Sequence, residues 1–457
     1  QALQSPPFLC EPIMGIGGTS DASALRTTGK ENKTLASTVV SRENYVDYVK
    51  QVMSSAEWPW PEHVLCDPSK QPRFVSSVEE LMHEIQFGCH MNQILVFPEG
   101  VKLLGLEDAL DSRLVMAMGL QSSPGKEAPK TAYDVLERLS QNGMLNDLKG
   151  KVTFRREIES RDSVDAGGKG NSCLGPKFAA LKAECPTHCM ASVYLAEVRQ
   201  LKPQKVSSGL RRKRMSTSSS TVRERMHQLG MDVQAMLYWD DYSEGLFCGA
   251  GCSGYDLHAD CIPTSNVGSI RSGHKLLAIW NFPNQTKSVL RKHGRDQFVR
   301  PLTPCQVQSL EKACSVALGP PGSVYVFSGI NAHAVCNVGF SAPRGPEFVP
   351  KPSLIVSSYE AFANLHPHHI EAMMTYYNKR QRCHDDDSDT DTDLEDFADD
   401  VREQARKLKQ GLQRGEVAAP DAVQAALAAL TTNGFRFSRK SDPEEEQGEL
   451  HPKRQKQ

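Results

Sequence analysis

Short apolar runs separated by turn-forming residues dominate the chain between residues 231 and 360. The runs are "AMLYW", "GLFCGAG", "KLLAIWNF", "GSVYVFSG" and "SLIVSSY", and Gly, Pro, Asn and Asp lie between them. Short strands bounded by such turn signals are typical of a sandwich or barrel. An earlier run, "ASVYLAEVRQL" at residues 191–201, has the β-branched and aromatic content of a further strand. We therefore predict a mainly β core.

Apolar residues at helical spacing precede this core. "RENYVDYVKQVM" has this spacing, and "SSVEELMHEI" opens with Ser77 followed by Glu80, the pattern of a capping box. "TAYDVLERLSQNG" predicts a helix that stops at Asn142-Gly143, and "QILVFPEG" predicts a short buried strand. Residues 41–189 are therefore expected to form a folded N-terminal region of mixed helices and strands.

Three polar segments interrupt or flank the apolar pattern. Residues 1–40 are rich in Ser, Thr, Gly and Lys and are expected to be disordered. Residues 202–226 form a basic, Ser-rich insertion in a catalytic-core candidate that spans 190–366. A helical C-terminal region, 367–457, contains an acidic low-complexity stretch at 385–400 that repels itself and stays extended.

Composition narrows the class of protein. The 457 residues have a net charge of −2, which argues against general electrostatic capture of nucleic acid. The basic cluster at 211–214 is equally compatible with a nuclear localisation signal, a nucleic-acid contact or a solvated loop. No apolar run approaches the roughly 18 residues that span a bilayer, and the first residues lack the pattern of a secretory signal. We expect a globular core with appendages, in the nucleus or cytoplasm.

The cysteines do not form a recognisable framework. Thirteen are present, an odd number, and they are scattered as in proteins with reduced intracellular thiols. "CPTHC", with Cys185, His188 and Cys189 after Cys173, is the nearest pattern to a zinc site, but it lacks a C-x₂-C pair. A structural zinc ion is therefore not favoured there.

The stretch "CSGYDLHADC" places His258 and Asp260 two positions apart. In a strand, side chains at i and i+2 point to the same face, so an imidazole and a carboxylate would converge. Taken alone, the tripeptide more often marks an ordinary surface strand. Two later residues make a functional site more favoured than an ordinary surface strand. They are Lys275, at the start of the apolar run "KLLAIWNF", and His333, at the start of "HAVCN".

Two ligands near one strand and a third on a distant strand are what a 2-His-1-carboxylate facial triad requires. Such a triad leaves three coordination positions open and is typical of non-haem Fe(II) oxygenases, whereas a structural zinc site is closed by four ligands. His258, Asp260 and His333 are the candidate ligands. A lysine at the edge of an apolar run usually extends its ammonium to solvent; here Lys275 is predicted instead to fix the far carboxylate of a dicarboxylate co-substrate.

At this point the sequence resembles the JmjC family of cupin-fold oxygenases, which depend on Fe(II) and 2-oxoglutarate. The resemblance covers residues 190–366 and runs through five segments in the family's order. These are "VYLAEV", "GLFCGAGCSGYDLHAD", "SNVGSIRSGHKLLAIWNFP", "GSVYVFSGINAHAVCN" and "SYEAFANL". It implies an α+β chain with a double-stranded β-helix, the jelly-roll of cupins, with flanking helices.

The resemblance also implies roles for single residues. Fe(II) would be bound by His258, Asp260 and His333, with O₂ as a further co-substrate. 2-Oxoglutarate would be bound by Lys275, with contributions from Tyr255, Asn266 and Asn337. The sequence departs from the family pattern at three places: Tyr255 replaces a small hydroxyl residue, Ser328 replaces proline, and Asn331-Ala332 replaces an aromatic pair.

The resemblance implies a dioxygenase that hydroxylates a protein side chain or demethylates N-methyl-lysine. A histone or another nuclear protein is the expected substrate, RNA is a weaker candidate, no membrane partner is expected, and C-terminal helices would support a homodimer. One alternative is a catalytically inactive cupin-fold binding protein. Another is a cupin enzyme that uses a different metal. His366, His368 and His369 form a weaker metal-tract candidate near the C-terminal region.

Overall fold

The structure is a computed structural model of the whole chain. It describes residues 39–53, 60–106, 112–117, 129–160, 162–200, 244–260, 265–299, 301–338 and 356–363. Several predictions fall outside these residues: disorder over nearly all of 1–40, the insertion at 202–226, the acidic stretch at 385–400, the C-terminal helices and dimer, and the histidines at 366–369.

The helices are short and precede the sheets or connect their strands. They are α1 (Tyr45–Met53), α2 (Glu62–Leu65), α3 (Val78–Gln86), α4 (Gly100–Leu103), α5 (Ser112–Ala117), α6 (Ala132–Gln141), α7 (Leu174–Glu184), α8 (Asn284–His293) and α9 (Pro304–Leu310). The predicted boundaries have physical causes. Ser77 accepts a hydrogen bond from the Glu80 amide at the start of α3, and α6 ends before Asn142 and the left-handed Gly143 (φ 70°).

The strands are two to eight residues long. They are β1 (Arg73–Phe74), β2 (Leu95–Phe97), β3 (Leu148–Phe154), β4 (Val164–Asp165), β5 (Ser172–Cys173), β6 (Tyr194–Gln200), β7 (Glu244–Gly249), β8 (Gly254–His258), β9 (Ser265–Ser272), β10 (Lys275–Trp280), β11 (Ser315–Gly319), β12 (Val324–Ser328), β13 (Ala332–Asn337) and β14 (Val356–Ala363). The runs "KLLAIW", "VYVFS" and "YLAEVRQ" thus form strands where the apolar pattern predicts them.

Two sheets contain these strands. The large sheet has the order β1-β2-β12-β9-β14-β7-β6-β3-β4, with β5 on β3, and the small sheet has the order β11-β10-β13-β8. Pairing is antiparallel throughout the described strands except between β1 and β2. The chain is therefore a mixed α/β protein with a large, mostly antiparallel sheet, and the described strands do not close into one barrel.

The two faces of each strand pack into different cores. On β10, Leu277 and Ile279 contact a cluster between the sheets, whereas Leu276 and Trp280 belong to a cluster on the outer face of the small sheet. This follows from the two-residue period of a strand. Lys275 is two residues before Leu277, so both side chains point to the same face of β10. Lys275 is only 1% exposed, and its side chain enters the space between the sheets.

The N-terminal helices cover the outer face of the small sheet. Tyr45 of α1 and Trp60 belong to the same apolar cluster as Trp280. The Trp60 indole donates to the Phe298 carbonyl (2.7 Å), and the Leu318 amide donates to the Tyr45 hydroxyl (2.8 Å). Residues far apart in the chain therefore hold this layer together.

Helices α3, α6 and α7 cover the opposite face of the large sheet. Their apolar faces share one cluster with inward residues of the sheet; members include Leu81, Leu136, Leu181, Val152 and Val324. The site-bearing space between the sheets thus has a packed layer behind each wall. Among the described helices, none combines the length and apolar character needed to cross a bilayer.

Candidate metal centre

A bulge in β8 places two aromatic side chains on the face that looks toward the large sheet. His258 is opposite His333, and Tyr255 is opposite Val335, in the antiparallel pair of β8 and β13. Three steps along β8 therefore match two along β13. Because one extra residue in a strand resets the alternation of its side chains, Tyr255 and His258 share one face.

Asp260 reaches the histidines by a different route from the one the sequence predicts. Strand β8 ends at His258, so Asp260 lies in the segment beyond it, and strand alternation does not align the two side chains. The Asp260 amide donates to the Gly329 carbonyl (2.9 Å). This bond fixes the backbone beside the end of β12 and turns the carboxylate toward His333.

The structure brings the three predicted ligands together. Asp260 Oδ1 is 3.5 Å from His258 Nε2, and Asp260 Oδ2 is 3.9 Å from His333 Nε2. The ligand atoms of the three side chains all lie within 4.8 Å of one another. In the described part of the chain, this is the one such group of His, Cys, Asp and Glu side chains, and Cys185, His188 and Cys189 do not form another. We call it the His-Asp-His group.

Backbone carbonyls orient both imidazoles. His258 Nδ1 lies 2.7 Å from the Asp256 carbonyl oxygen, and His333 Nδ1 lies 3.0 Å from the Asn331 carbonyl oxygen. A carbonyl oxygen can only accept a hydrogen bond, so each Nδ1 carries a proton, and Nε2 is the nitrogen left to bind a metal. Metal-binding histidines are held in the same way, with the ligating nitrogen opposite a fixed N–H.

The charges of the group also suit a cation. Burial lowers the pKa of His333 to about 4, with the nearby His258 adding to the effect. Burial opposes ionisation of Asp260, but His333, His258 and Asn266 outweigh it and lower the pKa of Asp260 to about 2. Burial likewise opposes protonation of His258, yet Asp260 raises the pKa of His258 above its ordinary value. A bound cation would replace the proton on His258.

Asn266, on β9, completes the surroundings of the carboxylate. Its Nδ2 donates to Asp260 Oδ2 (2.7 Å), as the predicted role near the metal requires. Its Oδ1 is buried without a hydrogen-bond partner. Buried polar atoms are normally satisfied, so this oxygen indicates a place beside Asp260 for a polar ligand or water. The donor set and its surroundings therefore fit a divalent metal ion.

Lys275 is buried, and it already has a carboxylate partner. Its Nζ lies 2.5 Å from Glu360 Oε1, 2.7 Å from the Ser358 hydroxyl and 3.2 Å from the Tyr325 hydroxyl. The Tyr325 hydroxyl also donates to Glu360. The chain's own Glu360 therefore occupies the place beside Lys275 that the resemblance assigns to the far carboxylate of 2-oxoglutarate.

The remaining predicted residues lie at different distances from the His-Asp-His group. The Tyr255 ring meets the His258 ring edge-on, with centroids 5.1 Å apart. Burial raises the pKa of Tyr255 to about 12. Asn337 pairs with Lys275 across β13 and β10, and its Nδ2 donates to the Ser253 hydroxyl (3.2 Å). Asn337 thus supports the turn before β8 and makes no described contact with the His-Asp-His group.

The sequence did not single out several charged residues near the site. Lys151 on β3 forms an ion pair with Glu197 on β6 (2.6 Å), and its ammonium lies 5.7 Å from the centre of the Tyr255 ring. Glu360 was likewise missed, although a glutamate inside the strand run "SYEAFANL" was a visible departure from an apolar pattern. Lys151 and Glu197 carry no comparable signal, because they lie in alternating strands where exposed charges are common.

A comparison with protein-family models and one with curated proteins both find no match. The case for a function therefore depends on the residues themselves.

Proposed function

We propose that the chain is an Fe(II)- and 2-oxoglutarate-dependent dioxygenase that acts on a protein. The observation that carries the proposal is the His-Asp-His group, in which two imidazoles and one carboxylate bring their ligand atoms within 4.8 Å of one another. Two histidines and one carboxylate form the donor set of non-haem Fe(II) oxygenases, and they leave coordination positions open. The reaction would be side-chain hydroxylation or N-methyl-lysine demethylation.

The strand order supports the JmjC-type interpretation. Strands β7, β9, β12 and β14 lie side by side in the large sheet, and β8, β10, β11 and β13 form the small sheet. The chain from β7 to β14 thus passes repeatedly between two facing sheets. This interleaving is what a double-stranded β-helix requires, and we propose that these eight strands form one.

Each residue of the site would have a separate role in binding the metal or the co-substrate. His258, Asp260 and His333 hold the metal, and Asn266 holds the carboxylate of Asp260 in place. Bound Fe(II) supplies the capacity to activate O₂. The packed apolar layers behind the two sheets support the strands that carry these residues. Lys275 would pair with the far carboxylate of the co-substrate when Glu360 leaves it.

Three variants test the proposal. His258→Ala, Asp260→Ala and His333→Ala should each abolish tight Fe(II) binding and the oxidation of 2-oxoglutarate to succinate, because three facial ligands are the minimum that holds the ion. Thermal unfolding should remain cooperative. His63→Ala is the matched control, since His63 is an exposed histidine far from the group in sequence, with 65% of its side chain accessible. Full activity in any ligand variant would remove that residue from the metal centre.

A second candidate is a binding protein that keeps the metal but does not turn over. The pairing of Lys275 with Glu360 favours it, because a closed co-substrate position prevents the reaction. The same experiment separates the two candidates. Metal binding without succinate, at any 2-oxoglutarate concentration, supports the binding protein. Metal-dependent succinate supports the enzyme.

The partners and location are proposed from the sequence. A histone or another nuclear protein is the proposed substrate, with RNA a weaker candidate, and the protein would act in the nucleus or cytoplasm. A homodimer through the C-terminal helices is proposed as well. Incubating the purified chain with nuclear extract, Fe(II) and 2-oxoglutarate, followed by mass spectrometry, tests for a protein bearing a new hydroxyl or a lost methyl group.

A further inference from the structure

The ammonium of Lys275 has no spare donor. A lysine ammonium has three N–H donors, and three acceptors surround Lys275: Glu360 Oε1, the Ser358 hydroxyl and the Tyr325 hydroxyl, all within 3.2 Å. The side chain of Lys275 is 1% exposed, whereas that of Glu360 is 17% exposed. The lysine is therefore fixed, and the glutamate is the partner that has room to leave.

The strand register of β9 shows how far the Lys275–Glu360 ion pair lies from the His-Asp-His group. Gly268 of β9 lies opposite Glu360 on one side and opposite Tyr325 on the other. Asn266, which holds Asp260, is two residues before Gly268 on the same face. Two residues of a strand span about 6.6 Å, so one small ligand of that length could touch both ends. The Glu360 carboxylate stands at the far end of that span.

The charges of Lys275 and Glu360 determine which ligands can bind between this ion pair and the His-Asp-His group. Lys275 and Glu360 neutralise each other, so a ligand with a carboxylate at the far end would bring a second anion to a single cation. Like charges in a water-poor space repel strongly. A ligand that chelates the metal through one carboxylate and has no anion at its far end meets no such repulsion.

Resting on the proposed function, we propose that Glu360 is a specificity-determining residue for the co-substrate. It fills the far-carboxylate position at Lys275, so the site binds 2-oxo monocarboxylates at least as well as 2-oxo dicarboxylates. Binding of a dicarboxylate requires Glu360 to leave Lys275. This property belongs to Glu360 and not to the metal ligands, so it can be changed without touching them.

Two probes with the same chelating head test the inference. Oxamate has one carboxylate, and N-oxalylglycine adds a second at the far end. Their dissociation constants are measured by calorimetry on the full chain loaded with Mn(II), which needs no turnover. In the wild type we expect similar affinities for the two probes. In Glu360→Gln, N-oxalylglycine should bind roughly ten- to a hundredfold more tightly, the size of a charge-assisted hydrogen bond, and oxamate should be unchanged.

Glu311→Gln is the matched control, because it makes the same change at an exposed glutamate that pairs with His63. Glu360→Ala is a second test of the same position if the glutamine variant unfolds. An unchanged ratio of the two affinities in both Glu360 variants would overturn the inference while leaving the proposed function in place. Failure of both probes to bind the Mn(II)-loaded wild type would overturn the proposed function and the inference together.

Discussion

One side-chain amide, that of Asn266, orients the carboxylate of Asp260. Metal binding should therefore be sensitive to substitution of Asn266. The Asn266 side chain donates to Asp260 Oδ2 at 2.7 Å, and both groups are shielded from solvent. Ligating carboxylates that lose such a partner turn away from the ion or gain a proton. The affinity of the site should therefore depend on a residue that does not touch the metal.

We expect Asn266→Ala to weaken Co(II) or Fe(II) binding by about 10- to 100-fold, the usual cost of losing a group that orients a ligand. The free energy of unfolding should change little in comparison. Isothermal titration of the metal measures the effect, and Asn92→Ala, at an exposed asparagine, is the control. An unchanged metal affinity would mean that the backbone alone orients Asp260.

His274 should give the protein a pH-dependent stability. Burial beside Tyr48, with ring centroids 6.0 Å apart, lowers the pKa of His274 to about 4. In the unfolded chain its pKa is about 6.5, so the unfolded state binds more protons between these values. Stability from this residue is complete above pH 6.5 and is lost as the pH falls toward 4, by up to about 1.4 kcal/mol per pH unit.

Urea unfolding at several pH values tests this prediction. The difference in unfolding free energy between the wild type and His274→Gln should shrink as the pH falls from 7 to about 4.5, because the variant has no proton to gain at this position. His63→Gln is the control for the substitution itself, at an exposed histidine. A difference that is constant with pH would show that His274 does not supply this dependence.

At the scale of elements, the contact between β9 and β12 depends on a glycine, Gly268. Gly268 lies opposite Tyr325, and a methyl group at Gly268 would overlap the Tyr325 ring. The absence of a side chain lets the ring lie flat across β9 and carry its hydroxyl to Lys275 and Glu360. The ion pair is thus held in place by a small residue on a neighbouring strand.

Gly268→Ala should therefore destabilise the fold by about 1–3 kcal/mol, the usual cost of overpacking a core. In a Tyr325→Leu background the same substitution should cost less, because the ring that it strikes is gone. Chemical denaturation of the four proteins gives the coupling energy. Equal costs in both backgrounds would place the strain elsewhere than at the Tyr325 ring.

Element positions could be predicted from the sequence more fully than element partners. The runs that form β6, β10 and β12 were visible as apolar strands, and the start of α3 and the end of α6 followed from Ser77 and Gly143. The end of β8 was not visible, because nothing in "GYDLHAD" signals the extra residue that resets its face. The position of Lys275 at the start of an apolar run led to the prediction that it binds a carboxylate, but the sequence could not show that Glu360, 85 residues later, would be its partner.

At the scale of the whole molecule, the layers around the site are built from residues 39–363. The His-Asp-His group, Lys275 and Glu360 all lie within this range. Strands from the first two hundred residues extend the same large sheet that carries β9 and β14. The sheet that carries Asn266 and Glu360 therefore includes the earlier part of the chain as well as residues 190–366.

Removing the residues after His384 should leave metal affinity and the thermal midpoint unchanged. Every residue assigned to the site precedes that point, and the acidic stretch at 385–400 carries too many like charges to enter a core. Calorimetry and thermal unfolding of the shortened chain measure both quantities. Loss of soluble, folded protein would show that the C-terminal region is part of the same folding unit.

The hydrogen bond between Tyr45 and the Leu318 amide, across 273 residues, has a consequence for synthesis on the ribosome. Translation at about 5–20 residues per second leaves a delay of roughly 14–55 s between the two residues. During that time the apolar faces of α1 and Trp60 have no sheet to cover, and exposed surfaces of this kind attract chaperones or other nascent chains. A chain released early, before β11 is made, would carry its N-terminal layer permanently uncovered.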